Sequence, residues 1–582
     1  MNDQALKKLL LGNEAVARGL YESGCKIVSS YPGTPSTEIT EFVAEYDEVY
    51  AEWAPNEKVA VEVAIGASIG GARAFAAMKH VGLNVAADPL FTASYTGVNG
   101  GLVIAVADDP GMHSSQNEQD SRNHAISSKL PMLEPSDSSE CKEFVKIAYE
   151  LSEKYDTPVL LRLTTRVAHS QSLTTLCDRV EVDVKPYEKN PSKYVMVPAN
   201  AIRRHPIVEA RTRSLIEYAE TSSINTVEDN GTEIGIISAG CCYEYAKEAF
   251  GNKASYLKLG MVNPLPKKLI ADFCAKYSKV YVIEELDPVI ENHCRIMGLD
   301  VIGKDIFPME GEIHTSMIKE KILGVKSEVK ALEEPIPVRP PVMCPGCPHR
   351  GVFYVLKKLG VTVNGDIGCY TLGSAAPLNA MDATVCMGYS VSGIHGFTKA
   401  SAENGKAVAV IGDSTFIHSG ITGLINIAYN KSNSVVIVLD NSITGMTGHQ
   451  QNPTTGVTLK GDMTTSVDLE ALCKAVGINR IIEVDPHDVV AVEAAVKESL
   501  AAEEATVIIA RRPCIMIKKA VIKKPLIVDQ DKCKSCKACM KIGCPAISVR
   551  KDTKKARIDD TLCVGCELCV KMCKFDAIKI NG

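Results

Sequence analysis

The pattern of apolar and polar positions predicts an α/β protein built on parallel sheets. Short runs of β-branched residues, apolar at nearly every position, alternate with stretches of helical periodicity through most of the chain. Strands of that kind are typical of parallel sheets covered by helices on both faces. The predicted buried strands are 102–107, 159–163, 234–238, 280–284, 408–411, 435–439 and 506–510.

Two helical stretches stand out in the first quarter of the chain. Residues 57–78 are rich in Ala and Gly, which predicts one helix that packs closely on its neighbours. The first 20 residues mix charged side chains among the apolar ones and contain no small-residue cleavage site. We therefore expect an amphipathic helix there and not a signal peptide.

Changes in composition divide the chain into four parts. A polar stretch at 219–232, a Pro-rich stretch at 333–348 and a Lys-rich stretch at 518–525 read as boundaries. They predict an α/β unit over 1–190, a smaller α/β unit over 230–325, a third α/β unit over 335–515 and a small tail over 525–582. A chain of 582 residues is too long for a single core, so several domains are expected.

Charge and hydropathy exclude two classes of partner. The formal net charge is −6, whereas nucleic-acid binding usually shows as a basic excess. Apolar runs stay well short of the ~20 residues that a membrane-spanning helix needs. We therefore expect a cytoplasmic protein without a nucleic-acid or membrane partner. In that compartment the 21 cysteines suggest metal ligation more than disulfides.

The tail contains two cysteine runs, CKSCKACMKIGCP and CVGCELCVKMCK, and each resembles the cluster-binding run of bacterial ferredoxins. In that fold each 4Fe–4S cluster takes three cysteines from one run and the last cysteine of the other. Set one is then Cys533, Cys536, Cys539 and Cys573, and set two is Cys544, Cys563, Cys566 and Cys569. The first run has one extra residue before its last cysteine, and Lys574 replaces the usual proline. The alternative is a pair of zinc sites.

A second motif predicts a thiamine diphosphate site. Gly412, Asp413 and Ser414 end one predicted strand, and Asn441 follows the next at the spacing of the thiamine diphosphate motif. A diphosphate needs a hard cation, and Mg²⁺ prefers oxygen ligands. Asp413, Asn441 and the backbone carbonyl of Ile443 can supply them where parallel strands end. Ser414 and Asp440 depart from the usual glycine and asparagine, and an ordinary strand-end turn is the alternative.

Thiamine enzymes also need a carboxylate beside the aminopyrimidine ring, where it supports general base catalysis. Glu57 is the candidate, because it begins the Ala- and Gly-rich helix. From the residues alone Glu52 and Glu62 compete with it.

With these motifs, the chain resembles the 2-oxoacid:ferredoxin oxidoreductases, most closely their indolepyruvate branch. The resemblance covers nearly the whole chain and includes YPGTPSTEI at 31–39, NEKVAVEVAIGAS at 56–68 and CPGCPHR at 344–350. It implies a pyrimidine-binding domain, a transketolase C-terminal-like domain, a diphosphate-binding domain and a 4Fe–4S ferredoxin domain. It also implies that Glu57 serves the aminopyrimidine and that Thr34 lies near the substrate.

The activity implied by the resemblance is oxidative decarboxylation of an arylpyruvate to an aryl-acetyl-CoA, with ferredoxin as electron acceptor. The cofactors would be thiamine diphosphate, Mg²⁺ and 4Fe–4S clusters. The partners would be a separate small beta subunit (two alpha and two beta), soluble ferredoxin, coenzyme A and the 2-oxoacid. Pyruvate or a branched-chain 2-oxoacid is an alternative substrate. An electron-transfer subunit without its own catalytic site and a non-redox thiamine decarboxylase are alternatives of other classes.

Two further groups carry weaker signals. In the polar loop 108–122, His113 and Arg122 could meet the substrate carboxylate, although a solvated loop is an equal alternative. A third 4Fe–4S cluster is expected at set three, which is Cys344, Cys347, Cys369 and Cys514. Cys344 and Cys347 form a Cys-x2-Cys pair in a Pro/Gly turn, and the resemblance supports a cluster near the thiamine. A rigid turn without metal is the alternative. The nine remaining cysteines are expected as small buried apolar residues, namely Cys25, Cys141, Cys177, Cys241, Cys242, Cys274, Cys294, Cys386 and Cys473.

Overall fold

The computed structural model describes residues 6–326, 332–400, 406–517 and 520–580. The chain divides between residues 331 and 332 into an N-terminal and a C-terminal unit, which are described separately below. The division lies just before the Pro-rich stretch 333–348. The expected boundary at 518–525 lies partly outside the described residues, as does the start of the predicted N-terminal helix.

The N-terminal unit is built on two sheets. The larger has seven strands, parallel except at one edge, in the spatial order Met261–Asn263, Met132–Leu133, Val159–Thr164, Leu102–Asp108, Ala74–Lys79, Ile27–Ser30 and Tyr50–Trp53. The smaller has the order Lys279–Ile283, Ile234–Ser238, Ser255–Lys258 and Thr226–Glu228, with the last strand antiparallel.

Helices cover these sheets and bury the apolar strand positions. They are Gly12–Glu22, Thr37–Val43, Glu57–Ile69, His80–Val85, Ala87–Thr96, Arg122–Ser128, Ser138–Tyr155, Thr165–His169, Pro191–Tyr194, Pro198–Thr221, Gly240–Phe250, Lys267–Cys274, Val289–Ile296 and Thr315–Leu323, with a 3₁₀ turn at Gly251–Lys253. No helix in the described part of the chain is long and apolar enough to cross a bilayer.

Two local predictions in this unit are wrong. Lys7–Leu11 is a strand paired antiparallel with Gln171–Thr175, and the helix begins only at Gly12. The Ala-rich stretch 57–78 is a helix that ends at Ile69 and then a buried strand, Ala74–Lys79. Gly71 separates them, because its φ of +99° and a carbonyl 1.9 Å from any added Cβ exclude a helical residue there. The polar stretch 219–232 contains the end of the helix Pro198–Thr221 and the edge strand Thr226–Glu228 of the smaller sheet, and its reading as a domain boundary stays a prediction.

The C-terminal unit has a five-stranded, all-parallel sheet. Its spatial order is Thr362–Asn364, Ala407–Gly412, Val435–Asp440, Thr506–Arg511 and Arg480–Val484. Buried clusters on both faces confirm the expectation of fully covered strands. The helical segments are His349–Leu359, Cys369–Ser374, Tyr389–Ala400, Asp413–Thr415, Phe416–Gly420, Ile421–Tyr429, Leu469–Ala475 and Val489–Ala501.

The cysteine-rich tail packs on this unit as a small α+β domain. Leu526–Val528 pairs with Ile578–Ile580, and Ile547–Val549 pairs with Ala556–Ile558, both antiparallel. A turn of helix follows the start of each cysteine run, at Ala538–Ile542 and Leu568–Lys571. The first cysteine run lies between Leu526–Val528 and Ile547–Val549, and the second lies between Ala556–Ile558 and Ile578–Ile580.

Candidate active site and cluster sites

Asp413 and Asn441 meet where two adjacent parallel strands end. Asp413 follows the strand Ala407–Gly412 directly and is buried, and Asn441 follows Val435–Asp440. One terminal atom of the Asn441 amide lies 2.8 Å from the carbonyl oxygen of Ile443 and 3.2 Å from Oδ1 of Asp413. With its nitrogen in that position, the amide donates to both oxygens. With its oxygen there, three oxygens converge, which is the donor set that Mg²⁺ prefers.

The two departures from the thiamine motif have structural partners. Asp440 accepts a hydrogen bond from Nε of Arg511 at 2.8 Å, so a cationic side chain compensates its charge. Ser414 accepts a hydrogen bond from the Thr444 hydroxyl at 2.9 Å, which ties the two motif loops together. Burial, and then the charge of Asp440, raise the pKa of Asp413 to about 7. An oxygen-rich site of this kind favours a bound cation.

Glu57 is the most buried of the three candidate carboxylates. It is 4% exposed and begins its helix, where the Asn56 side chain caps the backbone N–H of Val59. Glu62, by contrast, is half-exposed and pairs with Lys58. Glu52 lies on the strand Tyr50–Trp53 and accepts hydrogen bonds from Ser29 and Tyr50. Burial thus separates Glu57 from both competitors, while its catalytic role remains a prediction.

The Thr34 turn is joined to the polar loop 108–122. The Ser114 hydroxyl donates to the carbonyl of Thr34 at 3.3 Å, and Nζ of Lys79 donates to the carbonyl of Ser114 at 2.9 Å. Burial lowers the pKa of Lys79, which lies within electrostatic reach of Asp109 and Glu57. Sequence reasoning missed Lys79, since the stretch just before it, 57–78, was predicted to be helix. Its position at the carboxyl end of a buried strand was the available signal.

His113 and Arg122 both have protein partners. His113 is exposed and its Nε2 lies 3.0 Å from a carboxylate oxygen of Glu312. Arg122 is 1% exposed and pairs with Asp120 and Glu284, both at 2.6 Å. Its Nη2 also donates to two backbone carbonyls. The guanidinium is therefore a buried structural group, and the expected contact of Arg122 with a substrate carboxylate has no geometric support.

The tail cysteines gather in the two crossed sets. One cavity is lined by Cys533, Cys536, Cys539 and Cys573, and a second by Cys544, Cys563, Cys566 and Cys569. The extra residue of the first run is accommodated by Gly543, whose φ of +67° closes the turn before Cys544. Four thiolates around one cavity fit the ligand set of a 4Fe–4S cluster.

Set three also comes together in the C-terminal unit. Burial, followed by the neighbouring thiols of Cys514 and Cys344, raises the pKa of Cys369 to about 11. Burial also raises the pKa of Cys347 to about 12, with Cys344 and Cys369 adding to the shift. The backbone N–H of Cys514 donates to the carbonyl of Asn441 at 2.9 Å, so this group of thiols adjoins the Asp413 site.

Set three also adjoins the tail. The turn 344–348 lines the cavity of set two through Pro345 and Gly346. A Cβ on Gly346, whose φ is +72°, would lie 2.4 Å from the Val564 side chain. Arg350 links the turn 344–348 to the tail. Its guanidinium donates to the carbonyl of Cys344 in the turn and to those of Ile542 and Gly543 in the tail.

The remaining cysteines are not uniformly buried. Cys177 and Cys386 are exposed, so the expectation of buried apolar residues is wrong for these two. Cys241 and Cys242 are buried as expected, but their sulfurs lie within 4.8 Å of each other and of a carboxylate oxygen of Glu285. Sequence reasoning missed this group because Glu285 is distant along the chain.

Three family models match the chain, and together they confirm the predicted fold class. "Pyruvate flavodoxin/ferredoxin oxidoreductase, thiamine diP-bdg" matches residues 18–234. "Thiamine pyrophosphate enzyme, C-terminal TPP binding domain" matches 366–510, and "4Fe-4S binding domain" matches 556–579. Thiamine-binding domains and a 4Fe–4S domain are thus both present, on the segments that hold Glu57, Asp413 and the second cysteine run.

Relatives match over almost the whole length. The indolepyruvate oxidoreductase subunit IorA of Archaeoglobus fulgidus is 41% identical, over 98% of this chain and 97% of the relative. That of Pyrococcus horikoshii is 39% identical, with the same coverage of each chain. A solved 2-oxoglutarate:ferredoxin oxidoreductase from Magnetococcus marinus is 20% identical, over 55% of this chain and 65% of that chain, with a TM-score of 0.46. On the strength of the full-length relatives, the chain belongs to the family of indolepyruvate oxidoreductase IorA subunits.

Proposed function

We propose that this chain is the catalytic subunit of an enzyme that converts indolepyruvate and related arylpyruvates to aryl-acetyl-CoA. One 2-oxoacid and one coenzyme A give one acyl-CoA, one carbon dioxide and one proton. Two electrons pass singly to two oxidised ferredoxins. Membership in the IorA family supports the substrate class. The observation that carries the proposal is the convergence of Asp413, Asn441 and Ile443 beside the set-three cysteines.

Asp413, Asn441 and the carbonyl of Ile443 would hold Mg²⁺ and, through it, the diphosphate. The donor set fits, because the Ile443 carbonyl oxygen and Oδ1 of Asp413 lie 2.8 Å and 3.2 Å from one terminal atom of the Asn441 amide, and all three groups can offer oxygen to a cation. Bound thiamine diphosphate supplies the electron sink at which the 2-oxoacid loses carbon dioxide. The chain's own contribution is to fix the cofactor at the strand ends. Gly412 leaves room for the Tyr370 ring, which would lie 2.6 Å from an added Cβ.

Glu57 would hold the proton of the aminopyrimidine ring and so support general base catalysis there. Its burial fits this role, because a buried carboxylate is shielded from exchange with bulk water. Lys79 and the Thr34 turn would bind the substrate. The basis for this is a partly buried cation joined through Ser114 to the carbonyl of Thr34.

The three cysteine sets would each hold a 4Fe–4S cluster, twelve cysteines in all. Set three adjoins the Asp413 site, set two touches the turn 344–348, and set one lies in the same tail domain. This sequence of contacts supports a relay from the thiamine to the tail. Its role would be to carry electrons away from the reacting carbon before a proton reaches it.

The proposed partners are a small beta subunit, in a complex of two alpha and two beta chains, together with coenzyme A and ferredoxin. The names of the relatives describe each as one subunit of an oxidoreductase, which supports a partner chain.

An anaerobic assay tests the proposal. The purified chain, with and without a co-expressed beta subunit, is mixed with indolepyruvate, coenzyme A and a viologen dye. We expect reduction of the dye that requires both substrate and coenzyme A, and pyruvate and branched-chain 2-oxoacids to react more slowly. Dye reduction without coenzyme A, or none with any 2-oxoacid in the complex that contains thiamine, would refute the proposal.

A further inference from the structure

The two cavities of the tail differ sharply in their surroundings. The cavity framed by set one is lined by three lysines, Lys534, Lys537 and Lys554, and by no carboxylate. The cavity framed by set two is lined by cysteines and apolar residues, with no charged side chain, and the turn 344–348 covers part of it. The set-two cavity therefore borders the turn 344–348 of set three, and the set-one cavity carries positive charge.

The contrast arises at equivalent positions of the two runs. Between the first and second cysteines, Lys534 of the first run corresponds to Val564 of the second. Val564 packs against Gly346. Between the second and third cysteines, Lys537 corresponds to Glu567, and both residues have left-handed backbone, with φ of +59° and +65°. The same loop conformation therefore occurs in both runs. In the second run it packs against the turn 344–348, whereas in the first run it carries two lysines.

The lysines around set one are available to a partner. Lys534, Lys537 and Lys554 are exposed and form no ion pair within the described residues, whereas Glu567 pairs with Lys523 at 3.0 Å. Cys536 is exposed, while all four cysteines of set two are at least half-buried. Residues 526–580 carry 12 basic and 7 acidic side chains, a net charge of +5 in a chain whose net charge is −6. Positive charge is therefore concentrated on the tail.

We propose that Lys534, Lys537 and Lys554 form the docking surface for a small acidic electron-transfer protein, and that set one is the exit cluster. The inference rests on the proposed function for the source of the electrons. The order is set three, set two, set one and then the carrier. Each transfer oxidises the set-one cluster by one electron and reduces a cluster of the carrier by one, twice per turnover. The exposed lysines beside set one place the attraction for an acidic carrier at the cluster from which the electrons leave.

A charge-reversal variant tests the docking surface in the purified holoenzyme with its beta subunit. Lys534→Glu/Lys537→Glu is compared with the control Lys406→Glu/Lys431→Glu, which reverses two exposed lysines of the sheet domain. Glu567 shows that a glutamate fits the turn at the position equivalent to Lys537. The probe is an acidic bacterial two-cluster ferredoxin, with methyl viologen as a dye of opposite charge.

With ferredoxin at low ionic strength, we expect KM to rise by about 10-fold or more and its salt dependence to flatten. Viologen reduction and iron content should not fall, and the control should match the wild type. An unchanged KM, or an equal rise in the control, would overturn the docking surface. If the double variant loses iron, Lys534→Gln/Lys537→Gln replaces it, with a smaller rise in KM expected.

A second arm separates this inference from the proposed function. The enzyme is reduced with dithionite, freed of excess reductant, and mixed with oxidised ferredoxin in a stopped-flow instrument, without 2-oxoacid or coenzyme A. Slower second-order transfer in the lysine variant supports docking whatever the substrate is. Equal rates would overturn it, whereas failure of the indolepyruvate assay alone bears only on the proposed function.

Discussion

Arg511 donates a hydrogen bond through Nε to Oδ2 of Asp440 over 2.8 Å, beside the candidate thiamine site. Two buried carboxylates, Asp413 and Asp440, follow one another at adjacent strand ends, but only one has a cationic partner. No described lysine or arginine pairs with Asp413. Arg511 therefore balances the charge of Asp440, which is the residue that departs from the motif. The carboxylate of Asp413 remains available to a bound cation.

The Asp413→Ala variant should lose thiamine diphosphate and Mg²⁺ while retaining its tail clusters. The reason is that a diphosphate without its cation would face a buried site lined with oxygens. Cofactor content is measured after purification by thiochrome fluorescence and metal analysis. The matched control is Asp440→Asn, which restores the usual motif residue and should keep the cofactor. Full occupancy in Asp413→Ala would refute this site.

The Glu57→Gln variant should bind thiamine diphosphate but slow exchange of the thiazolium C2 proton by about 10²-fold or more, the usual scale of acid–base catalysis. The protein is mixed with D₂O, the exchange is stopped with acid at set times, and the remaining C2 proton is measured by NMR. Glu62→Gln is the control, because Glu62 is exposed and paired with Lys58, and its exchange rate should not change. If exchange in Glu57→Gln were normal, the role would pass to Glu52.

The sequence predicted best where a local pattern determines a local structure. All seven predicted strands are present. A short run that is apolar at every position must be buried on both faces, and a parallel sheet covered by helices buries it in that way. The strand-end motif was readable for the same reason, since strand ends bring Asp413 and Asn441 together.

Failures occurred where the decisive contact lies far along the chain. Ala74–Lys79 has helix-forming alanines but becomes a buried strand, because it pairs in parallel with Ile27–Ser30 on one side and Leu102–Asp108 on the other. Arg122 looked like a loop arginine, yet its partner Glu284 lies 162 residues away. Lys79 and Glu285 belong to sites that only the folded chain assembles. Side-chain pairing over such distances leaves no periodicity to detect.

Set three can be tested by iron analysis on anaerobically prepared protein. We expect about 12 iron atoms per chain, as three four-iron clusters require, and about eight in Cys344→Ser/Cys347→Ser. Cys386→Ser is the control, because that exposed cysteine belongs to none of the three sets. A wild-type content of about eight, unchanged in the double variant, would leave only the two tail clusters.

The Arg350→Lys variant should loosen the attachment of the tail. The guanidinium reaches carbonyls of two segments, at 3.2 Å for Cys344 and 3.0 Å for Ile542, and a single ammonium cannot serve both. Because buried carbonyls would lose their donors, we expect a loss of roughly 2–4 kcal/mol of stability. Thermal unfolding and limited proteolysis of the tail measure the effect.

The matched control for Arg350 is Lys571→Met. Lys571 donates one hydrogen bond, to the carbonyl of His487 at 2.9 Å, from an exposed position. Its loss should cost under about 1 kcal/mol. If both variants unfolded like the wild type, the Arg350 contacts would not hold the tail in place.

Glu285 should make the protein less stable as pH rises. Burial raises the pKa of this carboxyl from 4.5 to about 7 in the folded chain, although Ile313 donates to it at 3.0 Å. Between about pH 4.5 and pH 7 the folded state holds a proton that the unfolded state has released, so unfolding becomes easier as pH increases. Glu285→Gln should nearly match the wild type at about pH 4 and exceed it at about pH 8, by up to ~3 kcal/mol. The Glu312→Gln control should behave oppositely, since Arg166 and His113 lower the pKa of Glu312 and its carboxylate is stabilising at high pH. Melting temperatures at the two pH values measure both variants, and a Glu285→Gln protein that melts below the wild type at pH 8 would contradict the burial argument.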